Sequence, residues 1–316
     1  MEKEFFDIQL MIKNIYEIIN IYLNSGGNVC ELSIDFYNKD SKLDYNKPQV
    51  QSSYLLKYAL GYSFEYYYMY NHIKSLFINK KEINILSLGC GSCIDYWALC
   101  LLLYRENNNN LKINYMGIDK IKWSSNNIEN TFNKNDIDTY KFTRRKFDNC
   151  YFIENEINIL SYYNDIFSDN INNILNNLDI IIFPRSIGEI FIDETNNINT
   201  ENINIVKNII SNVRKDEIYI LSSIYANNHY HLLNGLSKRY YSINLDSEFA
   251  YKGIYGIDNY FEYPDDIKYM YTNLCEYYVE NKNNRCNKGI NKNCHINNEP
   301  ILHASKLKYR IKKITL

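Results

Sequence analysis

The sequence predicts an α/β protein built on a doubly wound, mostly parallel sheet, with a helical cap at its N-terminus. Three observations carry this. A short apolar run, Ile83, Ile85, Leu86 and Leu88, meets Gly89-Cys90-Gly91 abruptly, and a helix-compatible stretch from Ile94 to Leu103 follows. Strand-like and helix-like segments then alternate from residue 83 to about 240. Before residue 80 the apolar positions fall at helical spacing instead.

In chain order, Phe5, Ile8, Ile12, Ile15, Ile19 and Leu23 mark a first helix, and Ser25-Gly26-Gly27 ends it. A polar stretch from Cys30 to Val50 precedes a second helix from Ser52 to about Phe77, dense in tyrosine. Residues 1–80 therefore read as a helical cap, and 81–316 as the α/β domain. Tyrosines of the cap are mainly packing residues, with one or two as candidates to line a pocket. The first strand, 83–88, leads through the glycine turn into a helix at about 93–105. Ile113 to Asp119 is a second strand that ends in a carboxylate, and Lys120 to about Asn133 a helix with Trp123 in its first turn. Cys150 to Ile153 is a third strand. Leu178 to Phe183 is apolar on both faces after Asp179, as a central parallel strand should be. It stops at Pro184-Arg185-Ser186-Ile187-Gly188-Glu189. A helix from Thr200, its expected N-cap, to Val213 leads to a strand at Glu217–Ser222, and a further helix covers His229 to Tyr240. Ile267–Val279 and Leu307–Ile314 are expected to close the sheet as an antiparallel pair, separated by a polar insertion at 281–303.

Composition narrows the function classes. The net charge of -2 over 316 residues argues against strong nucleic-acid attraction and a membrane-surface role. No apolar run approaches the roughly 20 residues needed to span a bilayer. The N-terminal Met1-Glu2-Lys3-Glu4 has no signal-peptide pattern, so a cytoplasmic location with reduced cysteines is expected. Heavy use of Asn, Ile, Lys and Tyr fits AT-rich coding, which makes the Asn runs loop filler.

The order of elements, with Leu88-Gly89-Cys90-Gly91-Ser92-Cys93 as its first motif, resembles the class I S-adenosylmethionine-dependent methyltransferases. Residues 83 to about 225 carry the resemblance. It implies a Rossmann-like seven-stranded sheet with a reversed final hairpin. The first two glycines of the family's Gly-x-Gly-x-Gly are present, and Cys93 stands in place of the third. The resemblance implies S-adenosylmethionine as cofactor, with Gly89 and Gly91 under its methionine and ribose portions and Asp119 on the ribose hydroxyls. Glu156 or Asn155, just after the third strand, is the candidate for the adenine amino group. Pro184-Arg185-Ser186 would face the methionine end and the acceptor.

Each candidate has a bland reading beside the functional one. Asp95 either contacts the cofactor's amino group or only favours the positive end of its helix. Arg185 and Glu189 lie where α/β sheets bind ligands, yet four residues apart they suit a plain helical ion pair. Glu189 or a cap tyrosine is the candidate base. Cys275, Cys286, Cys294 and His295 could bind zinc, although their spacing lacks close Cys-x2-Cys pairs, and no metal is expected. The basic tail, Lys306, Lys308, Arg310, Lys312 and Lys313, alternates with apolar residues as in an edge strand with one solvated face; RNA contact is its minority reading. The expected activity is methyl transfer to an unidentified acceptor, a small molecule being expected over RNA. The rivals are an NAD-dependent oxidoreductase, which would want a third glycine where Ile94 stands, and a non-catalytic binding protein on the same scaffold.

Overall fold

The computed structural model describes residues 20, 22–32, 43–106, 111–123, 149–193, 195–250 and 306–316. Its centre is β1 (Glu82–Leu88), in which every residue after Glu82 is buried. A strand buried on both faces needs apolar side chains in both directions, and a parallel sheet with helices on each side satisfies that demand. β1 pairs in parallel with β2 (Lys112–Asp119) on one side and β4 (Ile180–Phe183) on the other. β2 pairs in parallel with β3 (Asn149–Glu154), and β4 with β5 (Glu217–Ser223). Two strands complete the sheet, β6 (Tyr241–Ala250) and β7 (Lys306–Thr315). β7 lies between β5 and β6 and is antiparallel to both, giving a seven-stranded sheet in the order β3-β2-β1-β4-β5-β7-β6. This is a doubly wound, Rossmann-like α/β sheet with a reversed final strand, as expected.

The helices, in chain order, are α1 (Pro48–His72), α2 (Lys74–Asn79), α3 (Ile94–Arg105), α4 (Tyr163–Ile166), α5 (Asp169–Asn176), α6 (Ile187–Phe191), α7 (Thr200–Asn212) and α8 (Asn228–Leu236). α7 shows how the sequence makes them. Ile203, Val206 and Ile210 recur at helical spacing and are buried. Asn199, one residue before the expected cap, accepts a hydrogen bond from the Asn202 amide at 3.0 Å and starts the helix.

The chain divides into two compact units. Described residues up to 64, together with Trp123, belong to the smaller one, and the sheet with its helices to the larger. In the smaller unit the stop after the first predicted helix is visible: Gly26 has φ +94°, and the Gly27 amide donates to the Tyr22 carbonyl. Most of that helix lies outside the described residues. Tyr54 packs against Tyr45, Tyr58 and Trp123 with ring centres 5.1–6.0 Å apart, which is the packing role expected of the cap aromatics.

Four expectations are corrected. The last strand pairs with β6, Tyr241–Ala250, so among the described residues the stretch between the two strands of that antiparallel pair is 251–305 and not 281–303. Residues 267–279 lie outside the described residues. β6 escapes a hydropathy reading because it is an edge strand: Tyr241 is 72% exposed and Ile243 44%. The basic tail is not an edge strand but sits inside the sheet. Its charges are absorbed locally: Arg310 lies 4.3 Å over the Tyr230 ring and donates to Asn234, both on α8, and Lys312 is 3% exposed with its ammonium 3.2 Å from Ser242. The helix expected from Lys120 is absent through Trp123, because Asp119 Oδ1 accepts the Ile121 amide and turns the chain there. Finally, the aromatic helix breaks at Ile73 into α1 and α2.

Candidate functional site

The order β3-β2-β1-β4 reverses direction of growth between β1 and β4, and open α/β sheets bind ligands outside the carboxyl ends of strands at such a point. Three segments meet there: the glycine turn after β1, Asp119 at the tip of β2, and Pro184-Arg185-Ser186 after β4. Gly89 and Gly91 have φ of +65° and +52°, a region that residues with a Cβ rarely adopt. The Gly89 and Cys90 amides both donate to the Ile118 carbonyl, at 2.8 and 3.1 Å, which ties the turn to β2. A Cβ on Gly89 would collide with the Ser186 side chain. Ser186 in turn donates to the Leu88 carbonyl at 2.5 Å, closing the β4 tip onto the β1 tip. Cys93, at the position of the missing third glycine, also has a positive φ, +55°.

Asp119 is half-buried and reaches back to the turn. Its Oδ2 accepts the Gly91 amide and its Oδ1 the Ile121 amide, both at 2.8 Å. Burial raises its pKa, and those two amides and Lys120 oppose the rise. Each oxygen retains a lone pair for a further donor. The end of β3 is joined to the same place, since the Asn155 amide donates to the Asp119 carbonyl at 2.9 Å. Asn155 turns its own side chain back to the Glu156 amide, while Glu156 is exposed.

Asp95 is brought close but differently. It is fully buried at the start of α3, and the Tyr115 hydroxyl donates to both of its oxygens at 3.0–3.1 Å. Burial pushes its carboxyl up to about 6, with Ser87 and Tyr115 pulling down. Its carboxylate is thereby tied to the middle of β2.

Arg185 and Glu189 do not pair with one another. Arg185 Nε and Nη2 both bind Glu65 Oε2, at 2.9 and 2.8 Å, and the Glu65 side chain is 1% exposed. Arg185 itself has φ +59°, in the left-handed region that residues with a Cβ rarely adopt. Glu189 is exposed at its surface yet loses enough water to raise its pKa; the facing Asp119 adds to the rise and Lys120 opposes it. Pro184 is half-buried at the strand end.

Two residues the sequence reading did not select stand beside this edge. The Tyr225 hydroxyl donates to the Arg185 carbonyl at 3.1 Å, and its ring meets the buried His229 edge-on, 4.2 Å between centres. Both crowd Gly188, where a Cβ would lie 2.9 Å from the tyrosine oxygen and 3.0 Å from His229 Nε2. His229 Nδ1 is buried without a hydrogen-bond partner. Tyr225 follows the tip of β5, so the strand-end rule that selected Arg185 could have found it.

The residues present suit an adenosine-containing cofactor. An acidic acceptor lies within hydrogen-bond reach of a glycine turn, and the Ser92 hydroxyl of that turn is buried without a partner. The candidate zinc ligands Cys275, Cys286, Cys294 and His295 lie outside the described residues. Among the described residues no cluster of three His, Cys, Asp or Glu could hold a metal, and no helix is long and apolar enough to cross a membrane.

No family model matches this chain, and neither does any curated protein sequence. Among solved structures, one similar chain is a putative class I S-adenosylmethionine-dependent methyltransferase from Listeria monocytogenes. It is 8% identical, with 98% of this chain and 88% of that chain covered and a TM-score of 0.43. Another is a precorrin-6y C5,15-methyltransferase from Geobacter metallireducens, 10% identical over 57% of this chain and 74% of that chain, with a TM-score of 0.30. The fold stands on the chain's own strand order, not on these likenesses.

Proposed function

We propose that the chain is an S-adenosylmethionine-dependent methyltransferase acting on a small or medium-sized acceptor. One observation supports this above all: the Asp119 carboxylate is hydrogen-bonded to the Gly91 amide, at the switch point of a sheet whose last strand runs antiparallel. The same glycine turn and acid would serve a dinucleotide, but the dinucleotide-binding sheet runs in the order 3-2-1-4-5-6 without an inserted reversed strand. That difference favours methyl transfer over the oxidoreductase.

When bound, the cofactor supplies an electrophilic methyl group on a sulfonium. The chain's own residues do the rest. Gly89 and Gly91 let the backbone approach the cofactor without a Cβ in the way. Asp119 accepts from the ribose hydroxyls, and Glu156 or Asn155 takes the adenine amino group. Pro184 and Ser186 wall the side toward the acceptor. Arg185, paired with Glu65, would hold this turn beside the acceptor. Glu189 is the candidate base, because partial loss of water and a facing carboxylate raise its affinity for a proton. Holding the acceptor in line with the methyl would supply most of the rate gain. A low net charge argues against bulk RNA as the acceptor.

Calorimetry with S-adenosylhomocysteine tests the reading, with NADH as the control. Micromolar retention of the first without the second supports it. No binding by folded protein at millimolar ligand would end it.

A further inference from the structure

The glycine turn contains a second chemistry that cofactor binding does not use. Its sequence is Cys90-Gly91-Ser92-Cys93, and the Cys93 amide donates to the Cys90 carbonyl at 2.8 Å. That bond closes a four-residue turn, which holds the two Cα atoms within about 7 Å of each other. A disulfide needs Cα atoms about 4.4–6.8 Å apart. The side chains also converge: both sulfurs lie 3.9 Å from one atom, the Gly91 carbonyl oxygen. Both thiols are free, 5% and 1% exposed. Gly117 on the neighbouring strand leaves the space that Cys90 fills, since a Cβ there would lie 2.9 Å from its sulfur.

We propose that Cys90 and Cys93 form a reversible disulfide within the glycine turn, a modification site that switches the cofactor seat. Two thiols lose two electrons and two protons to a disulfide oxidant, which leaves as two thiols. Cys90, as thiolate, attacks a sulfur of the oxidant and expels one thiol; Cys93 then attacks the mixed disulfide at the Cys90 sulfur and expels the second. Cys90 is the better first nucleophile. Its hydrogen bond with Cys93 pulls its pKa down, although burial and the facing Asp119 and Asp95 leave it raised overall, whereas burial pushes Cys93 well up. Burial of both sulfurs makes the open turn the reactive form, so a ligand seated on the turn protects the pair. Once formed, the bond draws the sulfurs to about 2.05 Å. The turn must shift to allow this, and the Gly91 amide moves away from Asp119.

Reaction of the full chain with oxidised glutathione, followed by peptide mass mapping, is the test. The peptide holding both cysteines should lose two hydrogens and regain them with dithiothreitol, and neither Cys90→Ser nor Cys93→Gly should show the change. Failure of wild-type, folded protein to form this link overturns the site, whatever the protein binds. The coupling to the cofactor rests on the function proposed above. Oxidation should weaken S-adenosylhomocysteine binding at least about tenfold, saturating ligand should slow the oxidation, and the double variant Cys90→Ser, Cys93→Gly, which lacks both thiols of the turn, should bind equally with and without oxidant. Equal affinity in both redox states overturns the switch. If the reduced protein binds no S-adenosylhomocysteine, the functional reading fails while the mass map still decides the disulfide.

Discussion

Two aspartates occupy opposite ends of the same parallel sheet and are treated in opposite ways. Asp179, just before β4 at the amino edge, has a fully buried side chain that meets three donors. Lys80 lies 2.6 Å from one oxygen, and Lys215 and the Asn84 amide lie 2.5 and 2.9 Å from the other. Around it the buried Asn84 and Asn114 bond to each other, and Asn84 also donates to the Asn177 carbonyl. Asp119, at the carboxyl edge, is held by two backbone amides and no lysine ion pair among the described residues. Along the same edge lie buried hydroxyls without partners, Ser92 and Ser223, and two non-glycine residues with positive φ, Cys93 and Arg185. An edge that serves only the fold satisfies its polar groups from within. The carboxyl edge, where the proposed cofactor would sit, leaves hydrogen-bonding capacity unspent and carries positive-φ residues.

The largest effect should come from the amino edge. Asp179→Ala strands Lys215, whose pKa burial already lowers, and leaves the Asn84 amide without its acceptor. Removing one member of a buried pair costs about 3–5 kcal/mol, and the lysines, about a quarter exposed, place this case near the lower end. Urea denaturation should report that loss. Binding of S-adenosylhomocysteine by the remaining folded protein should be unchanged. A stable variant with impaired binding would erase the distinction between the edges.

Asp95 gives the next effect, through pH. Its carboxyl rises from the ordinary 3.8 to about 6 in the folded protein, first because of burial. The folded state therefore holds its proton more tightly than the unfolded chain. The stabilisation is fully present below pH 3.8 and is lost as pH climbs through about 6. A displacement of this size corresponds to about 2–3 kcal/mol. Asp119 and Glu189 shift the same way, so the measurement is the difference between wild type and Asp95→Asn. Wild type should lose stability relative to the variant across that window. Parallel curves would mean that Asp95 is solvated in the folded protein.

Asp119→Asn should invert the pattern of Asp179. One acceptor oxygen survives, so folding should lose only about 1 kcal/mol. Hydrogen bonds from ribose hydroxyls to a charged acceptor are worth about 1.5–3 kcal/mol, so binding of S-adenosylhomocysteine should fall about 10- to 100-fold. Unchanged affinity would leave Asp119 a purely structural clasp for the glycine turn.

The carboxyl edge was more legible in the sequence than the amino edge. Glycine turns and strand-tip acids are local signals, and Gly89, Gly91 and Asp119 announce themselves within a few residues. Their meeting across 28 residues follows once β1 and β2 are read as parallel neighbours. The Arg185–Glu65 pair spans 120 residues, and no periodicity carries that information; the i,i+4 rule instead offered Glu189. The clip on Asp179 joins residues 36 to 99 apart and was invisible for the same reason. β6 was missed because its alternation lies on an edge strand, and burial of Lys312 because lysine is ordinarily a surface residue.

The smallest effect isolates the strain itself. At Cys93 the φ of +55° costs a residue with a Cβ about 1–2 kcal/mol, and glycine avoids that cost. Cys90, three residues earlier, is not among the positive-φ residues, and there glycine only adds unfolded-state entropy. Comparing alanine with glycine at each site cancels the loss of the sulfur, which both substitutions share. Cys93→Gly should therefore be more stable than Cys93→Ala by about 0.5–1 kcal/mol, after glycine's entropic handicap is subtracted. At Cys90 the order should reverse by about the same amount. Thermal melts of the four reduced variants check both signs. If alanine wins at both positions, the turn relaxes without strain, and unequal backbone strain no longer separates the two ends of the sheet.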